Sequence, residues 1–98
     1  MIVIPLDASP WQAFNIVLDG QKCAIEIRQI AQNLYCDLTV NDIDVFKGRI
    51  CEDRASINLY PTRYFSGNLI FIDTRGKDHP QYEGLGTRWI LVYVSEDE

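Results

Sequence analysis

Asp73, Asp78, His79 and Glu83 stand close together in the chain, just ahead of Gly84-Leu85-Gly86 and Arg88. Carboxylates and an imidazole are common ligands for a divalent metal, a glycine-rich loop can cradle a phosphate, and an arginine fork grips an anion in two prongs. Each chemistry needs more than the right residue types. His79 is the only histidine, and Cys23, Cys36 and Cys51 form no C-x-x-C pair, so the nitrogen and thiolate spacing of a zinc site is missing. A phosphate loop must open a helix, whose N-terminal amides meet the anion, whereas Gly84-Leu85-Gly86 leads into the strand-like run Arg88-Trp89-Ile90-Leu91-Val92-Tyr93-Val94. The expected conformation is therefore a tight corner, with positive φ at one or both glycines. Ser9, Ser56, Ser66 and Ser95 lack the flanking pattern of a nucleophile elbow, and Asp42 and Asp44 fall in a turn, where aspartate is favoured for backbone reasons. No catalytic residue, cofactor site or metal site is expected, and the chain is read as a non-enzyme.

The elements that must hold this loop are strands. Phe14, Ile16 and Leu18 share one face of a strand that ends at Asp19-Gly20, a strong hairpin signal, and the return run places Cys23, Ile25 and Ile27 inward. Leu34, Cys36, Leu38 and Val40 alternate in the same way until Asn41-Asp42, after which Asp44 to Glu52 supplies the partner of a second hairpin. Gly48 inside that partner points to a bulge, and both faces of the run are partly apolar, so its phase stays open. Arg54 to Tyr60 reads as a short extended segment and Pro61 to Gly67 as a loop. Leu69-Ile70-Phe71-Ile72-Asp73 reads as a strand buried on both sides. No window carries a helical period. The expected fold is all-β, a single-domain antiparallel β-sandwich or small β-barrel of about seven strands spanning residues 1–98, with 95–98 a flexible acidic tail.

Composition narrows the partners. Nine Lys and Arg against 14 Asp and Glu give a net charge of −5, the wrong sign for holding nucleic acid by its phosphates. No run approaches the ~18 apolar residues of a membrane helix, and Met1 to Asp7 is too short for a signal sequence, so neither membrane insertion nor export is expected. The cysteines are expected to be reduced and mostly buried.

The order of signals carries a resemblance. Ile4-Pro5-Leu6, Pro10-x-Gln12-x-Phe14 with Leu18-Asp19-Gly20-Gln21, Tyr35-x-Asp37-Leu38, Gly67-x-Leu69-x-Phe71-x-Asp73-x-x-Gly76, and Pro80-x-Tyr82-x-Gly84-Leu85-Gly86-x-Arg88-x-x-Leu91-x-Tyr93 occur in sequence. Together they resemble the baseplate plug proteins of contractile-tailed bacteriophages. That resemblance implies a structural protein of the virion, assembled in the host cytoplasm, at the central hub of the tail baseplate. Its implied partners are hub, tube and spike proteins and symmetry-related copies of itself. Asn41-Asp42-Ile43-Asp44 departs from the pattern by lacking a turn glycine.

Within this frame Asp19, Gly20, Asp73, Tyr82, Gly84, Gly86 and Arg88 are read as structural, with Arg88 suited to a two-pronged partner such as Asp73. The segment between Asp73 and Arg88 is long for a structureless connection, and such loops usually have a task. Its outer residues Arg75, Lys77, His79 and Gln81, with the loop aromatics Tyr64 and Phe65, are the candidate interface. The alternative reading is a small carbohydrate- or ligand-binding β-module that uses aromatics among Trp11, Tyr60, Tyr64, Phe65, Tyr82, Trp89 and Tyr93, with Tyr64, Phe65 and Tyr82 the loop candidates.

Overall fold

The structure, a computed structural model, describes residues 1–98. Seven strands form two antiparallel sheets that face each other as a sandwich. Strands β1 (Ile2–Ile4), β6 (Asn68–Asp73) and β7 (Trp89–Val94) make one sheet in the order β1-β7-β6. Strands β2 (Trp11–Leu18), β3 (Gln21–Ile30), β4 (Asn33–Val40) and β5 (Ile43–Cys51) make the other in sequence order. The sheets stay open at their edges, so the sandwich rather than the barrel is the observed form. The only helical element is a single 3-10 turn, Tyr82–Gly84, and no helix is long and apolar enough to cross a membrane.

The larger sheet is a meander whose turns follow from backbone chemistry. Asp19 and Gly20 both take positive φ, the signature of the turn whose twist matches the flanking strands. Asn41 and Asp42 do the same at φ 50° and 67°. No glycine is needed there, because short amide and carboxylate side chains tolerate the left-handed region. Period-two burial is clean on β3 and β4, where Cys23, Ile25, Ile27, Leu34, Cys36, Leu38 and Val40 are all buried. On β2, an edge strand, Phe14 and Ile16 are half-buried and only Leu18 is fully enclosed.

Strand β5 changes phase along its length. Cys36 pairs with Arg49, Leu38 with Phe46 and Thr39 with Asp44, so the register shifts on both sides of Leu38. Gly48, at φ 63°, sits in the first irregularity, and its N–H donates to the Asp37 carboxylate at 2.6 Å. Arg28 binds the other oxygen of Asp37 at 2.9 Å. Partial burial opposes ionisation of Asp37, but the Gly48 N–H and Arg28 outweigh it and hold the carboxyl below its ordinary pKa.

The smaller sheet departs from expectation at three places. Ile2–Ile4 forms a strand, β1, paired with Leu91–Tyr93. Strand β6 is buried on one face only: Leu69, Phe71 and Asp73 point inward while Ile70 and Ile72 are half-exposed. The segment from Arg54 to Tyr60 is not a strand. It touches β6 through single bridges, Asp53 to Phe71 and Ser56 to Ile70, and then turns on the buried side chain of Asn58, whose amide donates to the carbonyls of Phe65 at 3.0 Å and Gly67 at 2.8 Å.

Between the sheets, Ile57, Phe65, Leu69, Phe71, Leu85 and Leu91 complete the core. Each such side chain contributes about 1.5–3 kcal/mol when fully removed from water. All three thiols lie in this core, at 0–1% exposure. Burial pushes the Cys23 thiol up, and the neighbouring Cys51 thiol together with burial pushes Cys36 up. Thiolate is the reactive form. A disulfide-exchange reagent is therefore expected to label no cysteine in the native protein at neutral pH and three after denaturation without reductant. Rapid native labelling, or fewer than three in the unfolded chain, would contradict this arrangement.

Candidate protein interface

The loop from Asp73 to Trp89 is organised from its buried end. Asp73 closes β6, and its place in the period-two pattern turns the carboxylate inward, where the residue is 1% exposed. Arg88 closes on it as a fork, Nε to Oδ1 at 2.9 Å and Nη2 to Oδ2 at 2.8 Å. The backbone N–H groups of Arg75 and Asp78 donate to the same two oxygens, each at 2.9 Å. The Arg88 fork first, then these two amides, hold the Asp73 carboxyl well below the usual carboxylate range, and the same fork raises Arg88 above its ordinary value. The main chain of Asp73 is equally committed: its N–H donates to Asp53 at 2.7 Å and its carbonyl accepts from Arg54 at 3.2 Å.

Around this centre the loop is tied at each turn. Arg88 Nη2 also reaches Asp78 at 2.7 Å, and the guanidinium lies 4.3 Å from the Trp89 ring centroid, within range of a cation–π contact. The indole N–H of Trp89 donates to the Asp78 carbonyl at 3.0 Å. Gly84 is required by that indole, since a Cβ there would lie 2.5 Å from the ring, and Gly86, at φ 84°, would place a Cβ 2.5 Å from the Leu6 carbonyl oxygen. Tyr82 is half-buried against the core, and its N–H donates to the Gln29 side chain at 3.0 Å.

These bonds decide the chemistry. The N–H groups of Gly84, Leu85 and Gly86 donate to the carbonyls of Gln81, Tyr82 and Trp89, leaving no cluster of free amides for an anion. Four N–H donors occupy the oxygens of Asp73, while His79 faces Glu52 at 3.8 Å. The metal-like residue set does not converge.

The candidate interface residues divide. Arg75, Lys77 and His79 are exposed, and neither Arg75 nor Lys77 enters an ion pair. Gln81 differs from these three: it is half-buried, and its amide accepts from Gln29 and donates to the Gln32 carbonyl, each at 2.8 Å, fastening the loop to the β3–β4 turn. Tyr64 lies elsewhere, its carbonyl accepting from Gln21 at the start of β3, a strand roughly 30 Å long. Phe65 is not at the surface at all. It is fully buried, with its ring 5.7 Å from that of Tyr93, because Asn58 draws the Phe65 carbonyl inward and the ring seals that end of the sandwich. Tyr93 donates to Asp19 at 2.6 Å, so the β2–β3 turn is tied to the opposite sheet. Burial first, and then the Asp19 carboxylate, raises the Tyr93 phenol above its ordinary pKa. Sequence reasoning did not identify Gln29, Asp53, Arg54 or Asn58, whose roles depend on contacts between distant segments. The positive φ of Arg54, 56°, has no sequence signature.

The family comparison bears on this geometry directly. Residues 1–96 match the family described as cyanophage baseplate Pam3 plug gp18. The chain belongs to this baseplate plug family. The match covers both sheets and the whole 73–89 loop, so loop and scaffold are one family unit. None of the curated proteins matches it. The plug is thus a member of a family of structural components of the phage tail.

Proposed function

We propose that this plug occupies the central hub of a contractile-tail baseplate and acts by protein–protein contact alone, docking through Arg75, Lys77 and His79. The observation carrying this reading is the contrast within the 73–89 loop. Its inward groups are bonded to the sandwich, whereas the cations Arg75 and Lys77 are left to solvent without an ion-pair partner on a chain of net charge −5. A preorganised loop binds without a large ordering cost, and cations held away from internal partners favour an acidic partner surface. Hub, tube and spike proteins and symmetry-related copies of the plug are the proposed neighbours, with assembly in the host cytoplasm before the virion is released.

A sugar-binding reading gains no support from the aromatics. Tyr82 and Trp89 pack into the loop and Phe65 and Tyr93 are in the core, while the exposed Trp11 and Tyr60 do not share a surface: Trp11 opens β2 and Tyr60 lies by Arg49 of β5, at opposite edges of the four-stranded sheet. Gold-labelled antibody against the plug should decorate baseplates at the head-distal tip of the tail, on its axis. Label on the head, along the sheath or only at the baseplate periphery would reject the hub position.

A further inference from the structure

The two sheets present four edges, and three are blunted. The 53–57 segment covers part of β6, β1 is three residues long, and β5 carries Asp44, Lys47 and Arg49 together with its register shifts. Edge strands are ordinarily protected by such devices, because a bare edge recruits another strand. Strand β2, eight residues long, has no charge, no proline and no register shift.

The direction of its free groups follows from its pairing with β3. The Pro10 carbonyl accepts from Gln29, and antiparallel hydrogen-bonded pairs alternate, so Gln12, Phe14, Ile16 and Leu18 bond to β3 while Trp11, Ala13, Asn15 and Val17 turn their main-chain groups outward. The Ser9 hydroxyl confirms this, since it bonds both the N–H and the carbonyl of Trp11. Ser9 therefore caps the start of the edge. The N–H and C=O groups of Ala13, Asn15 and Val17 have no partner in the chain.

That free set is symmetric about Asn15. We propose that β2 pairs antiparallel with β2 of a second copy about a two-fold axis at Asn15, joining two four-stranded sheets into one. Ala13 then faces Val17 of the other copy, Asn15 faces Asn15, and all the free groups of both strands are satisfied without disturbing the Ser9 cap. On the inner face Phe14 meets Ile16, an aromatic–β-branched pair of the kind that stabilises sheets. On the outer face each cross-strand row runs from Glu26 through Ala13 and Val17 to Lys22, ending in opposite charges, and the central row holds only Ala24 and Asn15. No like charges oppose one another. The pairing stands whether or not Arg75, Lys77 and His79 dock.

The experiment is sedimentation of the free full-length plug with two variants. Asn15 is exposed, so N15K and N15D should fold and melt as the parent does. Wild type should sediment as a dimer, each variant alone as a monomer because identical charges meet at the axis, and an equimolar mixture as a dimer again. A monomeric wild type, a variant that still dimerises, or a mixture that stays monomeric would each overturn the pairing. Amide exchange on the wild type gives a check without mutation. Protection of Ala13, Asn15 and Val17 should rise with protein concentration, and concentration-independent exchange there would also overturn it.

Discussion

Replacing Asp73 with alanine should lower the melting temperature of the plug by roughly 10 °C or more and free the 73–89 loop, the largest stability effect expected of any single polar substitution. The substitution removes the acceptor of four N–H donors at once. Arg88 is left stacked on Trp89 with only Asp78 as an anionic partner, and that carboxylate is 76% exposed and well screened. Two part-buried main-chain amides, of Arg75 and Asp78, lose their acceptor at the same moment, and the Arg88 fork loses its two-pronged partner. Asp73→Asn is the finer probe. It keeps the shape but removes the charge and turns one acceptor into a donor facing Arg88 or an amide.

The pH dependence follows from the direction of the Asp73 shift. Its folded-state pKa lies below the ordinary value of 3.8, so the native state holds fewer protons than the unfolded chain. The resulting stability is fully present above the unfolded pKa and is lost as pH falls below it toward the folded one. Melting curves from about pH 2 to about pH 7 should fall steeply at the acid end for wild type and less steeply for Asp73→Asn. An Asp73→Ala protein that melts within a couple of degrees of wild type would show that the loop is not organised by this carboxylate.

Much of this architecture is legible in the amino-acid sequence, because alternation and turn chemistry are local. Cys23-x-Ile25-x-Ile27 and Leu34-x-Cys36-x-Leu38-x-Val40 state their inward face outright, and Asp19-Gly20 states its turn. What resists reading is decided at a distance. The phase of β5 is set by two register shifts against β4 that bring both Phe46 and Cys51 inward, and no single period describes such a strand. Strand β1 exists because Ile2–Ile4 finds β7 at the far end of the chain. Tyr64 and Phe65 are adjacent aromatics in an irregular segment, with no period to say which points inward. Asn58 decides it by holding the Phe65 carbonyl, a contact between residues with no shared motif. Gln81 resembles its exposed neighbours in composition, and only the approach of Gln29 and Gln32 turns it inward. The Asp73–Arg88 pair is legible for the opposite reason: a carboxylate ending one apolar strand and a guanidinium opening the next are neighbours whenever those strands pair, as β6 and β7 do.

The division between Gln81 and its neighbours sharpens the remaining prediction. Serine at Arg75, Lys77 and His79 together should leave the melting temperature of the free plug nearly unchanged, because exposed substitutions shift stability by only about 0.5 kcal/mol. The sole ion pair these substitutions break, His79 with Glu52 at 3.8 Å between groups 55% and 46% exposed, is weak at best. Incorporation into baseplates should nevertheless fall to a small fraction of wild type, because the substitutions remove the loop's unpaired cations and the imidazole beside them. Quantifying the plug in purified tails by mass spectrometry, alongside the melting curve of the free protein, separates the outcomes. A triple variant incorporated as well as wild type would end the docking role of this loop, and one that unfolds would make these side chains part of the scaffold. Gln81→Ala supplies the converse: it should loosen the loop against the β3–β4 turn and lower the melting temperature, so any defect in incorporation should track stability rather than surface charge. Loss of incorporation without loss of stability, confined to Arg75, Lys77 and His79, is the pattern that only a docking surface produces.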